Sequence, residues 1–141
     1  MERTSPGWPS PARLALARQF LRFGAVGGIG FIVDTSVVYG LRGTIGIYAA
    51  GAVAYLAAAS LNWALNRVWT FRGPHRMPMH RQWAMFLATN LVGFVVNRGV
   101  FAALVTWSPF CNENPVVAIA AGVAAGMFIN FAAARQVVFA P

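Results

Sequence analysis

Four apolar stretches of about 20 residues or more each take up most of this 141-residue chain. They run from Phe20 to Leu41, Ile45 to Leu65, Trp83 to Trp107 and Pro115 to Ala134. At a rise of ~1.5 Å per residue, each reaches across a hydrocarbon layer of ~30 Å. Four in succession predict an all-α integral membrane protein with four transmembrane helices. Charged residues make up only 10% of the chain, where a soluble domain carries about 25%. So few charges cannot clothe a water-exposed surface. A soluble enzyme and a soluble binding domain are therefore excluded.

The charge is one-sided. Eleven Arg face Glu2, Asp34 and Glu113, giving a net charge of +8. The Arg lie between apolar runs, where they suit membrane lipid headgroups and not nucleic acid. Arg3, Arg13, Arg18 and Arg22 flank the first stretch, Arg67, Arg72, Arg76 and Arg81 fill the middle loop, and Arg135 follows the fourth stretch. Arg42 alone lies on the other side. The positive-inside rule then places both termini and the middle loop in the cytoplasm. Trp63, Trp69, Trp83 and Trp107 sit at span ends, as in an interfacial aromatic belt.

Residues 1–19 read as a basic, partly disordered N-terminal cytoplasmic segment, because Pro6, Pro9 and Pro11 oppose a helix there. The small residues Ala15 and Ala17 precede the first apolar run instead of following it, so that span reads as a retained anchor. The transmembrane domain is residues 20–141. Cys111 is single, and His75 and His80 have no carboxylate or thiol nearby in sequence, so no disulfide, metal or cofactor is expected.

The two halves of the chain resemble each other. Phe23, Ala25, Gly30, Phe31, Val33 and Asp34 align with Phe86, Ala88, Gly93, Phe94, Val96 and Asn97. Further on, Asn62, Ala64, Arg67 and Phe71 align with Asn130, Ala132, Arg135 and Phe139. Each half holds two spans, so the chain returns to its starting side. The expected architecture is two parallel two-helix repeats, with equivalent residues at equal depth.

That equivalence gives meaning to the polar residues. Asp34 lies ~21 Å along span one, and Asn97 and Arg98 reach a similar depth in span three. A charge at the bilayer centre costs ~2.5–3.5 kcal/mol, so Asp34 and Arg98 are expected to compensate each other, with Asn97 beside them. Two readings fit this pair: an ion pair that locks helices, or an anion transit site at Arg98 held by Asp34 when empty. Nearer the cytoplasmic face, Asn62, Asn66, Arg67, Asn130, Arg135 and Arg22 form a second polar layer. Guanidinium groups bind phosphate through paired N–H donors, so a phosphate-bearing lipid headgroup is its expected partner. For Arg22 the plainer reading is a topology signal.

Gly24 and Gly28, like Gly122 and Gly126, have the G-x-x-x-G spacing that lets membrane helices approach closely. With four spans enclosing little space, a homo-oligomer, most simply a dimer, is expected. The glycine run inside span one has the wrong order and place for a dinucleotide loop. No nucleophile–base arrangement or carboxylate pair suggests an enzyme.

Three segments carry a family resemblance: Arg22–Asp34 (RFGAVGGIGFIVD), Leu61–Phe71 (LNWALNRVWTF) and Asn130–Phe139 (NFAAARQVVF). They resemble the GtrA-like family of small four-span membrane proteins over nearly everything after residue 19. The resemblance implies a multi-pass protein of the bacterial cytoplasmic membrane, serving cell-surface polysaccharide synthesis. It implies movement of a polyprenyl-phosphate-linked sugar, or of the free polyprenyl phosphate, through Asp34, Asn62, Asn66, Arg67, Asn130 and Arg135. Ala134 stands where the first half has Asn66, which removes one amide from the second half. The competing reading is a non-transporting anchor that recruits a membrane glycosyltransferase through the basic loop. A multidrug-type cation exporter requires a central carboxylate without an Arg partner, which disfavours it.

Overall fold

The computed structural model describes residues 9–141. Arg3, Pro6 and the expected disorder of the first eight residues lie outside this range. Five α-helices follow in order: α1 Pro11–Ile45, α2 Ile47–Leu65, α3 Met79–Trp107, the short α4 Pro109–Glu113, and α5 Pro115–Ala133. α2 runs on into a π-helical turn at Asn66–Thr70, and α5 into one at Ala134–Val138. Four of these helices are long and apolar enough to cross a membrane.

α1 begins nine residues before its apolar stretch. Pro11 occupies the first turn, where a missing N–H costs nothing, and the Ser10 hydroxyl accepts a hydrogen bond from the Arg13 amide at 3.4 Å. The proline read as a helix breaker is a helix starter. At its 35 residues α1 is ~50 Å long, well beyond the hydrocarbon thickness. It ends at Gly46, which alone separates it from α2 and has φ of 81°. That left-handed value suits glycine and ends the helix abruptly.

The helices pack as two pairs, α1 along α2 and α3 along α5. The α3–α5 contact explains the second G-x-x-x-G. A Cβ on Gly122 would lie 2.6 Å from the Asn97 carbonyl oxygen, and one on Gly126 would lie 2.8 Å from that of Gly93. This face is spent inside the chain. Gly24 meets the end of Met127 on α5, and Gly28 faces open space.

The pairs meet around an aromatic cluster of Phe23, Phe71, Phe86, Phe131 and Phe139, flanked by Phe20 and Trp63. Phe71 and Phe139, which each follow a π-helical turn, stack at 4.8 Å and 9°. The start of α1 and the end of α5 share this end of the bundle, where Arg135 Nε donates to Gln19 Oε1 at 3.2 Å. Cys111 is buried in α4, at the opposite end.

Candidate functional site

Sequence placed six polar residues in one phosphate-binding layer. The structure divides them among three environments.

Asn62, Asn66 and Asn130 line a cavity of about 500 Å³ in the seam between the helix pairs, together with Asn90 and Asn97. Its walls include Phe23, Phe86 and Gly28. Asn62 lies over Gly30 where a Cβ would be, and Asn130 lies over Gly93 in the same way. The glycines thus let amides approach the facing helix backbone. Asn66 is 1% exposed, and its Oδ1, like those of Asn62 and Asn130, is buried without a hydrogen-bond partner. A buried polar atom in that state costs ~1–3 kcal/mol, which usually marks a missing partner.

Arg67 does not face this cavity's lining. Its guanidinium donates to Oε1 of Gln82, a residue with no exposed surface. The Trp63 indole N–H donates to the same oxygen at 3.2 Å, and Gln82 Nε2 donates to the Val138 carbonyl at 3.1 Å. Gln82 thus joins α2, its π-helical turn, α3 and the end of α5. Sequence reading missed it, because a single glutamine between Arg81 and Trp83 looks like the edge of a loop. Arg22 is similarly engaged: it donates to the Trp69 carbonyl at 3.4 Å and lies over that indole, 5.7 Å from the ring centroid. Trp83 donates to the Ser60 hydroxyl at 2.9 Å. Three of the four expected belt tryptophans therefore bind between chain segments, while Trp107 stays exposed.

Arg135 lines a separate cavity of about 520 Å³ at the arginine-rich end, with Gln19, Arg72, His75 and the stacked Phe71 and Phe139. Arg72, from the middle loop, stands beside Arg135 in this lining, its Nε donating to the Val68 carbonyl at 3.1 Å. Burial lowers the pKa of His75, and the nearby Arg67 charge lowers it further. The imidazole is therefore held neutral near pH 7, as a hydrogen-bonding group. The aromatic cluster separates the two cavities: Phe23 and Phe86 face the seam, and Phe71 and Phe139 face the arginines.

The structure does not bring Asp34 and Arg98 together, and no ion pair within 4.0 Å joins them among the described residues. Arg98 is exposed and lies over the Phe94 ring, 5.4 Å from its centroid. Asp34 is half-buried in a crevice with Gly51, Tyr55 and Asn62. The Arg98 guanidinium stays along its own helix, while Asp34 shares a lining with Gly51, Tyr55 and Asn62 of α2. Asn97 shares a lining with the other asparagines and not with the expected charge pair. Among the described residues, no group of His, Cys, Asp and Glu could hold a metal.

Compared with families of known proteins, residues 22–139 match the family model described as GtrA/DPMS, transmembrane domain. No curated protein matches the chain.

Proposed function

Because the chain belongs to the GtrA/DPMS transmembrane domain family, we propose that it carries a polyprenyl-phosphate-linked sugar, or the free polyprenyl phosphate, across the bacterial cytoplasmic membrane. It is a multi-pass membrane protein of a family tied to glycosyl-lipid carriers. The observation that carries the finer reading is the cavity with Arg72, Arg135, Gln19 and neutral His75 at one end of the bundle. Two guanidinium groups offer planar donor forks to a phosphate, and an amide and an imidazole add neutral hydrogen bonds. Arg67 and Arg22 support the walls of this end through Gln82 and Trp69. The arrangement assigns no chemical step to the chain.

The Arg-rich end is read as cytoplasmic by the positive-inside rule. The paired contacts of Asn62 with Gly30 and Asn130 with Gly93 support a duplicated helix pair. A homodimer is part of the proposal, formed through a face other than Gly122–Gly126.

The test is transbilayer movement of a fluorescent polyprenyl phosphate in vesicles containing the purified protein. The parent should accelerate it, and Arg72→Gln with Arg135→Gln should weaken lipid binding about tenfold or more. Arg72→Lys and Arg135→Lys should bind at an intermediate level, because lysine keeps charge without the fork. Movement no faster than in protein-free vesicles would favour the second reading, a recruiter of a membrane glycosyltransferase. That reading draws on the surface groove of Arg76, Met77, Pro78, Arg81 and Met85 beside the loop.

A further inference from the structure

We propose that the asparagine-lined seam binds the neutral, hydroxyl-bearing part of the lipid headgroup, a sugar, and not its phosphate. This rests on the transport reading above and assigns a separate site within it.

The lining chemistry selects the ligand. Asn62, Asn66, Asn90, Asn97 and Asn130 supply the seam's polar side chains, and none of its lining residues is charged. A phosphate there would be a charge in low dielectric without a counter-charge, which is strongly unfavourable. The adjoining crevice shares Asn62 and Asn90 and adds Asp34, whose carboxylate also opposes an anion. Amide and carboxylate oxygens accept hydrogen bonds. Their natural partner is a group rich in O–H donors.

Three buried amide oxygens, those of Asn62, Asn66 and Asn130, have no donor within the protein. Asn66 lies at the inner wall of the seam, 1% exposed, and its oxygen has no donor until one is delivered there. Sugar hydroxyls would satisfy these acceptors and could receive from the amide N–H groups in return. Phe23 and Phe86 supply an apolar wall for the C–H face of a sugar ring. A volume of about 500 Å³ lies within the ~300–1,000 Å³ typical of small-ligand pockets.

The entry also fits a lipid-attached ligand. The seam opens sideways past Gly27 and Gly28, both exposed and both with free space where a Cβ would point. Exposed Phe31 and Phe94 frame it on the lipid-facing surface. A headgroup can enter here while its chain stays among the lipids.

The experiment compares binding of two lipids of equal chain length, polyprenyl phosphate and polyprenyl-phosphate hexose, to the full chain in nanodiscs. The parent should prefer the hexose lipid by roughly fivefold or more, the worth of one or two net hydrogen bonds. Asn66→Leu, of similar size but unable to accept, should lose this preference and keep its affinity for the bare phosphate. Gly28→Leu grows into open space and should do the same by blocking entry, which covers the case in which Asn66→Leu fails to fold. A diacyl hexosyl lipid without phosphate that competes equally, in an Asn66-dependent way, would identify an ordinary glycolipid as the hydroxyl source. Equal binding of the two polyprenyl lipids by the parent, or an undiminished preference in Gly28→Leu, would overturn the proposal and leave the transport reading standing. Binding of neither lipid would overturn both.

Discussion

The Nε2 of Gln82 donates to the carbonyl of Val138 at 3.1 Å across 56 positions of sequence, and both residues are buried. Because the Gln82 Oε1 accepts from Trp63 and Arg67, one side chain satisfies three groups on three segments. Gln82→Leu should leave these groups without partners, at a cost of several kcal/mol when each buried orphan costs ~1–3 kcal/mol. Gln82→Glu keeps the acceptor for Trp63 and Arg67 and loses only the donor to Val138, so its loss should be smaller. Thermal unfolding in detergent ranks the two. A Gln82→Leu protein as stable as the parent would remove this residue from the framework.

The glycines should separate into structural and open classes. Gly122→Ala and Gly126→Ala push a Cβ against backbone carbonyls, which cannot move cheaply, and should cost ~1–3 kcal/mol. Gly27→Ala meets nothing and should be neutral or mildly stabilising through helix propensity, by up to ~1 kcal/mol. Gly24→Ala meets only the flexible end of Met127 and should fall between them. Equal effects at Gly27 and Gly126 would contradict the described α3–α5 packing.

His75 should make stability depend on pH. Burial and then Arg67 hold its pKa below the ordinary ~6.5. Folding therefore favours the neutral imidazole. Its contribution is complete above about pH 6.5 and is lost as pH falls below that toward the lowered folded value. The melting temperature should fall more between pH 6.5 and 5 in the parent than in His75→Asn. Added polyprenyl phosphate should reduce that fall, because an anion beside His75 favours its charged form. An identical pH profile in both proteins would show that His75 does not titrate differently on folding.

Membrane orientation can be read from thiol labelling. Cys111 is buried and makes a poor reporter, so it is replaced by serine. Cysteines at Arg76 and Asn112, both exposed and at opposite ends of the bundle, are then labelled in intact cells with a membrane-impermeant reagent. Asn112→Cys should react from outside and Arg76→Cys only after the membrane is opened. The reverse result would invert the molecule and place the Arg72–Arg135 cavity outside.

Much of this architecture was legible in the sequence. Apolar length alone marks the four long helices, because a bilayer imposes a minimum length on each. The aligned Asn62 and Asn130 do lie in corresponding contacts, since each is matched to a glycine one helix away. The arginines were a different matter. Arg67, Arg135 and Arg22 carry the same charge at similar depth, yet their long side chains reach different partners, and only packing decides which. Gln82 aligns with Gln19 at the spacing that pairs Phe23 with Phe86, and each accepts from the arginine of the opposite half, but both stand just before the apolar stretches that drew the comparison. The two π-helical turns arise where Phe71 and Phe139 must enter the aromatic cluster, a tertiary demand that local propensity does not encode.

The one-residue turn at Gly46 has a mechanical consequence. It leaves α1 and α2 little slack to slide past each other, which favours their moving as one body. A rotation of one pair against the other would then hinge in residues 71–78, where Pro74 and Pro78 limit the available backbone angles. This same segment carries Arg72 and His75, which face Arg135 at the end of α5. Such a swing would change the width of the seam and the spacing of Arg72, His75 and Arg135 together. The phenylalanines that separate the two cavities would carry that rotation from one to the other.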